Sequence, residues 1–176
     1  MANVHPVVNF EKRLALVFMW LFAQMFADIS AAQTFELNNK WQEKKSSPIW
    51  INPGFYSAHF DSNKGLRNSN PGLGVEIGLN NDWSFTVGQF INSNDAQSNY
   101  AGVYYQPWHA GSWKTGVVGG AFNGYPNAFN GGWFPALLPV VTYESKRWGI
   151  NMAFVPPLPD RLYGAISFQL KWRVGN

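Results

Sequence analysis

The sequence predicts an all-β fold: an eight-stranded antiparallel transmembrane β-barrel with a short N-terminal amphipathic helix. Three observations predict it. Large apolar residues alternate with small or polar ones in successive segments of about ten residues, the length of a tilted membrane strand. The connections between these segments alternate between short and long, as the two ends of an outer-membrane barrel require. Aromatic residues make up 17% of the chain and charged residues only 13%, against about 25% charge in an ordinary soluble domain. A barrel in lipid needs that balance, because its outside is apolar and girdled by aromatic rings.

The N-terminus carries a secretory pattern. Lys12 and Arg13 precede the apolar run Leu14-Ala15-Leu16-Val17-Phe18-Met19-Trp20-Leu21-Phe22-Ala23, and Ser30-Ala31-Ala32 supplies small residues for cleavage. Residues 1–32 are therefore read as a signal peptide. A membrane anchor is the alternative, but the run is short for a helical span and Asp28 interrupts its end. Residues 33–50 are polar, and Phe35, Leu37 and Trp41 can share one face of a short interfacial helix. Residues 51–176 then form the barrel, a single domain.

Strands are expected near 53–61, 71–79, 83–92, 99–108, 113–121, 135–144, 148–155 and 162–174. The alternation is clearest at the end of the chain. There Ile166, Phe168, Leu170, Trp172 and Val174 share one face, and Ala165, Ser167, Gln169, Lys171 and Arg173 the other. Leu73, Val75, Ile77 and Leu79 oppose Gly72, Gly74, Glu76 and Gly78 in the same way. A soluble barrel with its apolar face inward would show the same alternation. The signal peptide decides for the membrane, together with Trp83, Trp108, Trp113, Trp148 and Trp172 near strand ends, where interfacial belts form. The turns at 80–82, 109–112 and 145–147 are short and belong at the periplasmic end; 62–70, 93–98, 122–134 and 156–161 are longer and belong outside. Odd-numbered strands thus run outward.

Several functions are excluded. The net charge of +3 is scattered, with no run of Lys and Arg to grip nucleic acid. The chain has no Cys and only three His, one of them, His5, in the signal peptide, so no metal site is expected. Neither a Gly-x-Ser-x-Gly elbow nor a phosphate loop occurs, and no cofactor is implied. One His does attract chemistry. In Phe55-Tyr56-Ser57-Ala58-His59-Phe60-Asp61, alternation turns Tyr56, Ala58 and Phe60 to lipid and His59 inward at the external rim. Asn92-Ser93-Asn94-Asp95 ends the third strand at that same rim. A base and a hydroxyl converging from separate strands can transfer an acyl group, but residue type alone favours a polar rim where His, Ser and Asn simply meet water.

Phe134-Pro135-Ala136-Leu137-Leu138-Pro139-Val140, followed by Gly149 through Val155, Pro156 and Gln169-Leu170-Lys171-Trp172-Arg173, resembles the last three strands of the lipid A palmitoyltransferase (PagP-like) family. The resemblance extends over residues 50–174. It implies a bacterial outer-membrane enzyme, an eight-stranded barrel expected to be a monomer, that moves an acyl chain from a phospholipid to the lipid A of lipopolysaccharide without a cofactor. It implies His59 as base, Ser93 as a catalytic hydroxyl, and Asn92 as an orienting or oxyanion-stabilising group where the family has Asp. Prolines mark lateral gaps for lipids in that family, which assigns lipid access to Pro71, Pro135, Pro139 and Pro156. A Gly on the fourth strand floors the family's acyl pocket. Tyr104 falls near that place with Gly102 two residues away, and Leu137 and Leu138 add apolar surface. The alternative is a non-enzymatic outer-membrane barrel that binds lipid or stabilises the membrane.

Overall fold

The structure, a computed structural model, describes residues 47–157 and 163–175. Eight strands follow one another: β1 (Ile49–His59), β2 (Ser69–Gly78), β3 (Trp83–Ile91), β4 (Gln97–Ala110), β5 (Trp113–Phe122), β6 (Phe134–Glu144), β7 (Trp148–Val155) and β8 (Ala165–Val174). Each pairs antiparallel with the next, and β8 returns to β1 to close the barrel. Every expected strand is present, with shifted ends. The main correction is at the start. β1 begins at Ile49, so Trp50 is a barrel residue and not part of the amphipathic segment 33–50. The remainder of that segment up to residue 46, its expected helix, and the expected signal peptide 1–32 lie outside the described residues.

The alternation resolves into apolar outside and polar inside. Leu73, Leu170 and Trp172 are exposed, while Glu76, Gln169 and Lys171 on the same strands are buried. Closing the sheet pairs every strand with two neighbours, and an apolar outer wall is favourable where the surrounding medium is hydrocarbon. Aromatic rings gather at the short-turn end. Trp83 stacks near Tyr105 at 4.4 Å, and Tyr143 touches both Trp113 and Trp148, at 5.0 and 5.3 Å.

The interior has two halves. Toward the short turns it is polar. Lys171 Nζ donates to Glu76 Oε1 at 2.7 Å and to Glu144 Oε1 at 2.8 Å, and Lys114 Nζ reaches Glu144 Oε2 at 2.7 Å. Asn151 Nδ2 donates to Glu76 Oε2 at 2.9 Å and to Gln169 Oε1 at 3.1 Å, joining the far walls. Toward the long loops the interior is aromatic. Phe55 meets Phe90 and Tyr100 edge-on at 4.8 and 5.3 Å. Tyr100 reaches across the lumen because Gly74 and Gly88 leave room: a Cβ at either would strike its hydroxyl. Gly54, at φ 103°, forms the bulge that shifts the β1 register and turns Phe55, Ser57 and His59 inward above it.

Candidate functional site

His59 is the last residue of β1, and Ser93 follows β3 by two positions. Because β1 and β3 run the same way, their ends meet at the long-loop rim. There Ser57, His59, Ser93, Tyr125 and Tyr163 line one cavity of about 60 Å³. His59 Nδ1 lies 2.9 Å from Asn68 Oδ1 in the β1–β2 loop. An amide oxygen only accepts, so Nδ1 carries the hydrogen and Nε2 is left with its lone pair. Asn70 Nδ2 donates to the Ile91 carbonyl at 3.0 Å and, at 3.5 Å, toward Ser93 Oγ. Burial pushes the Tyr125 hydroxyl above its ordinary titration range, which leaves it a neutral donor beside the histidine rather than a base.

Asn92 takes a different part from the one the resemblance implied. Its side chain is fully buried. Nδ2 donates to Ser98 Oγ at 2.9 Å and to the Gly124 carbonyl at 2.8 Å, and Oδ1 accepts from the amides of Asn94 and Ala96 at 2.8 and 3.2 Å. Both hydrogens and both lone pairs are thus engaged in tying the β3–β4 loop to the β5–β6 loop. Neither Asp95 nor Asp61 stands in for the Asp that the resemblance expects. Asp95 pairs with Arg67 at 2.9 Å, and Asp61 accepts from the Asn63 amide. Asn92→Asp is therefore expected to lower stability by about 1–3 kcal/mol, because a carboxylate cannot donate to Ser98 or Gly124, and to leave any acyl-transfer rate unraised. Urea unfolding in parallel with an activity assay checks both.

Below the rim lies an apolar cavity of about 120 Å³, and Ser57, Tyr125 and Val155 line both spaces. Phe90, Phe122, Phe134 and Leu138 wall it, with Gly102 and Tyr104 among its lining. Of the expected acyl-pocket residues, Leu137 is the exception: it is 67% exposed on the outer face. The strand alternation of β6 continues through it, so only Leu138 points in. The buried Tyr104 hydroxyl accepts from Asn151 at 3.3 Å, which anchors it to the polar half.

The prolines differ from one another. β6 and β7 are in register only from Val140 opposite Ala153 to Glu144 opposite Gly149. On its other side β6 pairs with β5 as far as Phe134, and β7 pairs with β8 as far as Val155. The upper part of β6, which holds Pro135 and Pro139, thus lacks a registered partner on its β7 side alone, and Pro156 follows the end of β7. Proline removes a ladder donor, so a seam here follows from composition. Pro71 does not open its strand. β2 starts at Ser69, and Pro71 pairs with Gly54 in a continuing ladder.

The outward apolar wall, closed ladder and filled lumen together define the architecture. The fold is similar to that of a designed transmembrane β-barrel. That solved chain, from the de novo design of transmembrane β-barrels, matches over 76% of this chain and all of its own length, at 11% identity and a TM-score of 0.50. At this identity the transmembrane-barrel likeness speaks for the fold alone. No family model matches the chain, and no curated protein matches it. Within that barrel, the residues that sequence reasoning missed are Asn68, Asn70 and Tyr125. All three lie in or beside long connections, where alternation gives no direction to a side chain; only the asparagines' short distance in sequence from His59 hinted at a role.

Proposed function

We propose that this protein is a bacterial outer-membrane acyltransferase that moves a fatty acyl chain from a phospholipid to lipid A. The observation that carries this reading is the pair of adjoining cavities: a rim pocket lined by His59 and Ser93, and an apolar slot in the barrel that shares Ser57, Tyr125 and Val155 with it. His59 Nε2 takes the proton from a lipid A hydroxyl, whose oxygen attacks the phospholipid ester carbonyl. Ser93 Oγ–H donates to the oxyanion that develops. Collapse breaks the bond to the glycerol oxygen, which recovers the proton from the imidazolium, so one ester is broken and one is formed. The seam beside Pro135 and Pro139 offers lipids a lateral way in.

Asn68 aims the imidazole in this scheme. Losing a hydrogen bond to a group that becomes charged costs about 1.5–3 kcal/mol, or roughly ten- to a hundredfold in rate. Asn68→Ala is expected to lower kcat by that factor with little change in KM. The slot is also short, since a cavity of about 150 Å³ holds benzene and this one has about 120 Å³. Tyr104→Ala removes a ring from its floor and is expected to lengthen the acyl chain transferred, read as added methylene masses on lipid A.

The deciding experiment is mass spectrometry of lipid A from outer membranes with and without this protein. An added acyl mass supports the reading. Unchanged lipid A, with folded barrel present and acyl donors available, would leave a non-enzymatic barrel that binds lipid or stabilises the membrane.

A further inference from the structure

At the opposite end from His59 and Ser93, the barrel opens into a second, polar cavity of about 650 Å³, lined by Lys114, Glu144, Lys146, Arg173 and His109 among others. That volume lies within the range of small-ligand sites. The charges around it do not balance. Lys114 and Lys171 together satisfy Glu144 and Glu76, and His109 faces Asp82 at 3.1 Å. Arg173 and Lys146 have no carboxylate partner among the described residues.

Arg173 is the anomaly. Its guanidinium lies over the Trp50 ring, with Cζ 4.5 Å from the ring centre, on the side chain directly opposite in the β1–β8 register. A ring answers the charge but accepts no in-plane N–H. Nε is buried and has no hydrogen-bond partner among the described residues. It is shielded from bulk water as well, so the donor carries a desolvation cost that no described acceptor offsets. Trp50 is itself 1% exposed and also carries Lys171 Nζ at 4.9 Å, so the platform that fixes Arg173 is rigid.

The geometry points to an anion site at this mouth, built on Arg173 with Lys146 as the accompanying cation, whose ligand carries a phosphate group. A guanidinium edge with a nearby ammonium suits a tetrahedral, multiply charged oxyanion better than a single carboxylate. The phosphate can arrive as a free ion from the periplasmic side or as a phospholipid headgroup. The site rests on the barrel alone and stands or falls independently of acyl transfer.

The test is the Arg173 Nε–H resonance of ¹⁵N-labelled full-length protein folded in phosphatidylcholine discs. Inorganic phosphate is expected to shift it saturably, and chloride at equal ionic strength is not. Arg173→Gln should weaken phosphate binding at least tenfold by calorimetry, while Arg147→Gln at the exposed turn leaves it unchanged. A second disc containing phosphatidylglycerol separates the sources: a shift there without added phosphate identifies the headgroup. An Nε–H resonance indifferent to both phosphate and phosphatidylglycerol, or one that chloride moves equally, overturns the inference.

Discussion

His59→Ala is expected to abolish the proposed acyl addition to lipid A while leaving the barrel folded. The imidazole stands at a partly exposed rim, bonded among the described residues to Asn68, so its removal costs the fold little. What it removes is, among the described residues lining this rim cavity, the one side chain with a free basic nitrogen: Asn68, Asn70 and Asn92 are amides, burial pushes the Tyr125 hydroxyl up, and Asp95 is tied to Arg67. General-base catalysis contributes about 10²–10⁴ in rate, enough to drop the product below detection. Mass spectrometry of lipid A, with a heat-modifiable shift on gels as proof of folding, reads the result. A folded His59→Ala protein that still adds the acyl mass at the wild-type rate removes His59 from the chemistry.

Lys171→Met is expected to be the most damaging single change to the fold. Lys171 is 1% exposed and bridges two carboxylates, Glu76 and Glu144. Glu144 keeps Lys114 when Lys171 is gone, but Glu76, 3% exposed, keeps only the neutral donors Ser84 and Asn151. Removing one partner of a buried pair costs about 3–5 kcal/mol, because the other charge is left desolvated and uncompensated. The double variant Lys171→Met/Glu76→Gln removes one charge of each sign and should recover most of the loss. Urea unfolding in detergent measures both. Equal instability of the single and double variants would mean that Lys171 acts through packing, not charge.

How much of this was legible in the residues themselves differs by feature. The strands were readable because alternation has a period of two and a one-residue slip would carry Leu170 and Trp172 into the lumen and Lys171 and Gln169 out of it. The positions of His59 and Ser93 at one rim were also readable, since strand direction follows from loop lengths alone. Trp50 falls in the polar segment 33–50 on sequence alone because nothing local separates it from the Lys and Glu that precede it. Only the closure of β1 onto β8 brings Arg173 opposite it and makes it a buried platform. Leu137 and Leu138 were indistinguishable as neighbours in an apolar run, and the register of β6 against β5 alone decides which faces in.

The sequence by itself determined the closed barrel, its strand order and the rim at which His59 and Ser93 gather, because these depend on local periodicity and chain direction. The tertiary structure alone decided which polar groups are partners. Asn92 is a loop tie because Gly124, thirty-two residues on, brings its carbonyl to it. Lys171 is a bridge because Glu76, ninety-five residues away, faces it across the lumen. Hydrogen bonds and ion pairs act over about 3 Å, a distance that only the closing of the sheet, and no spacing along the chain, brings within reach.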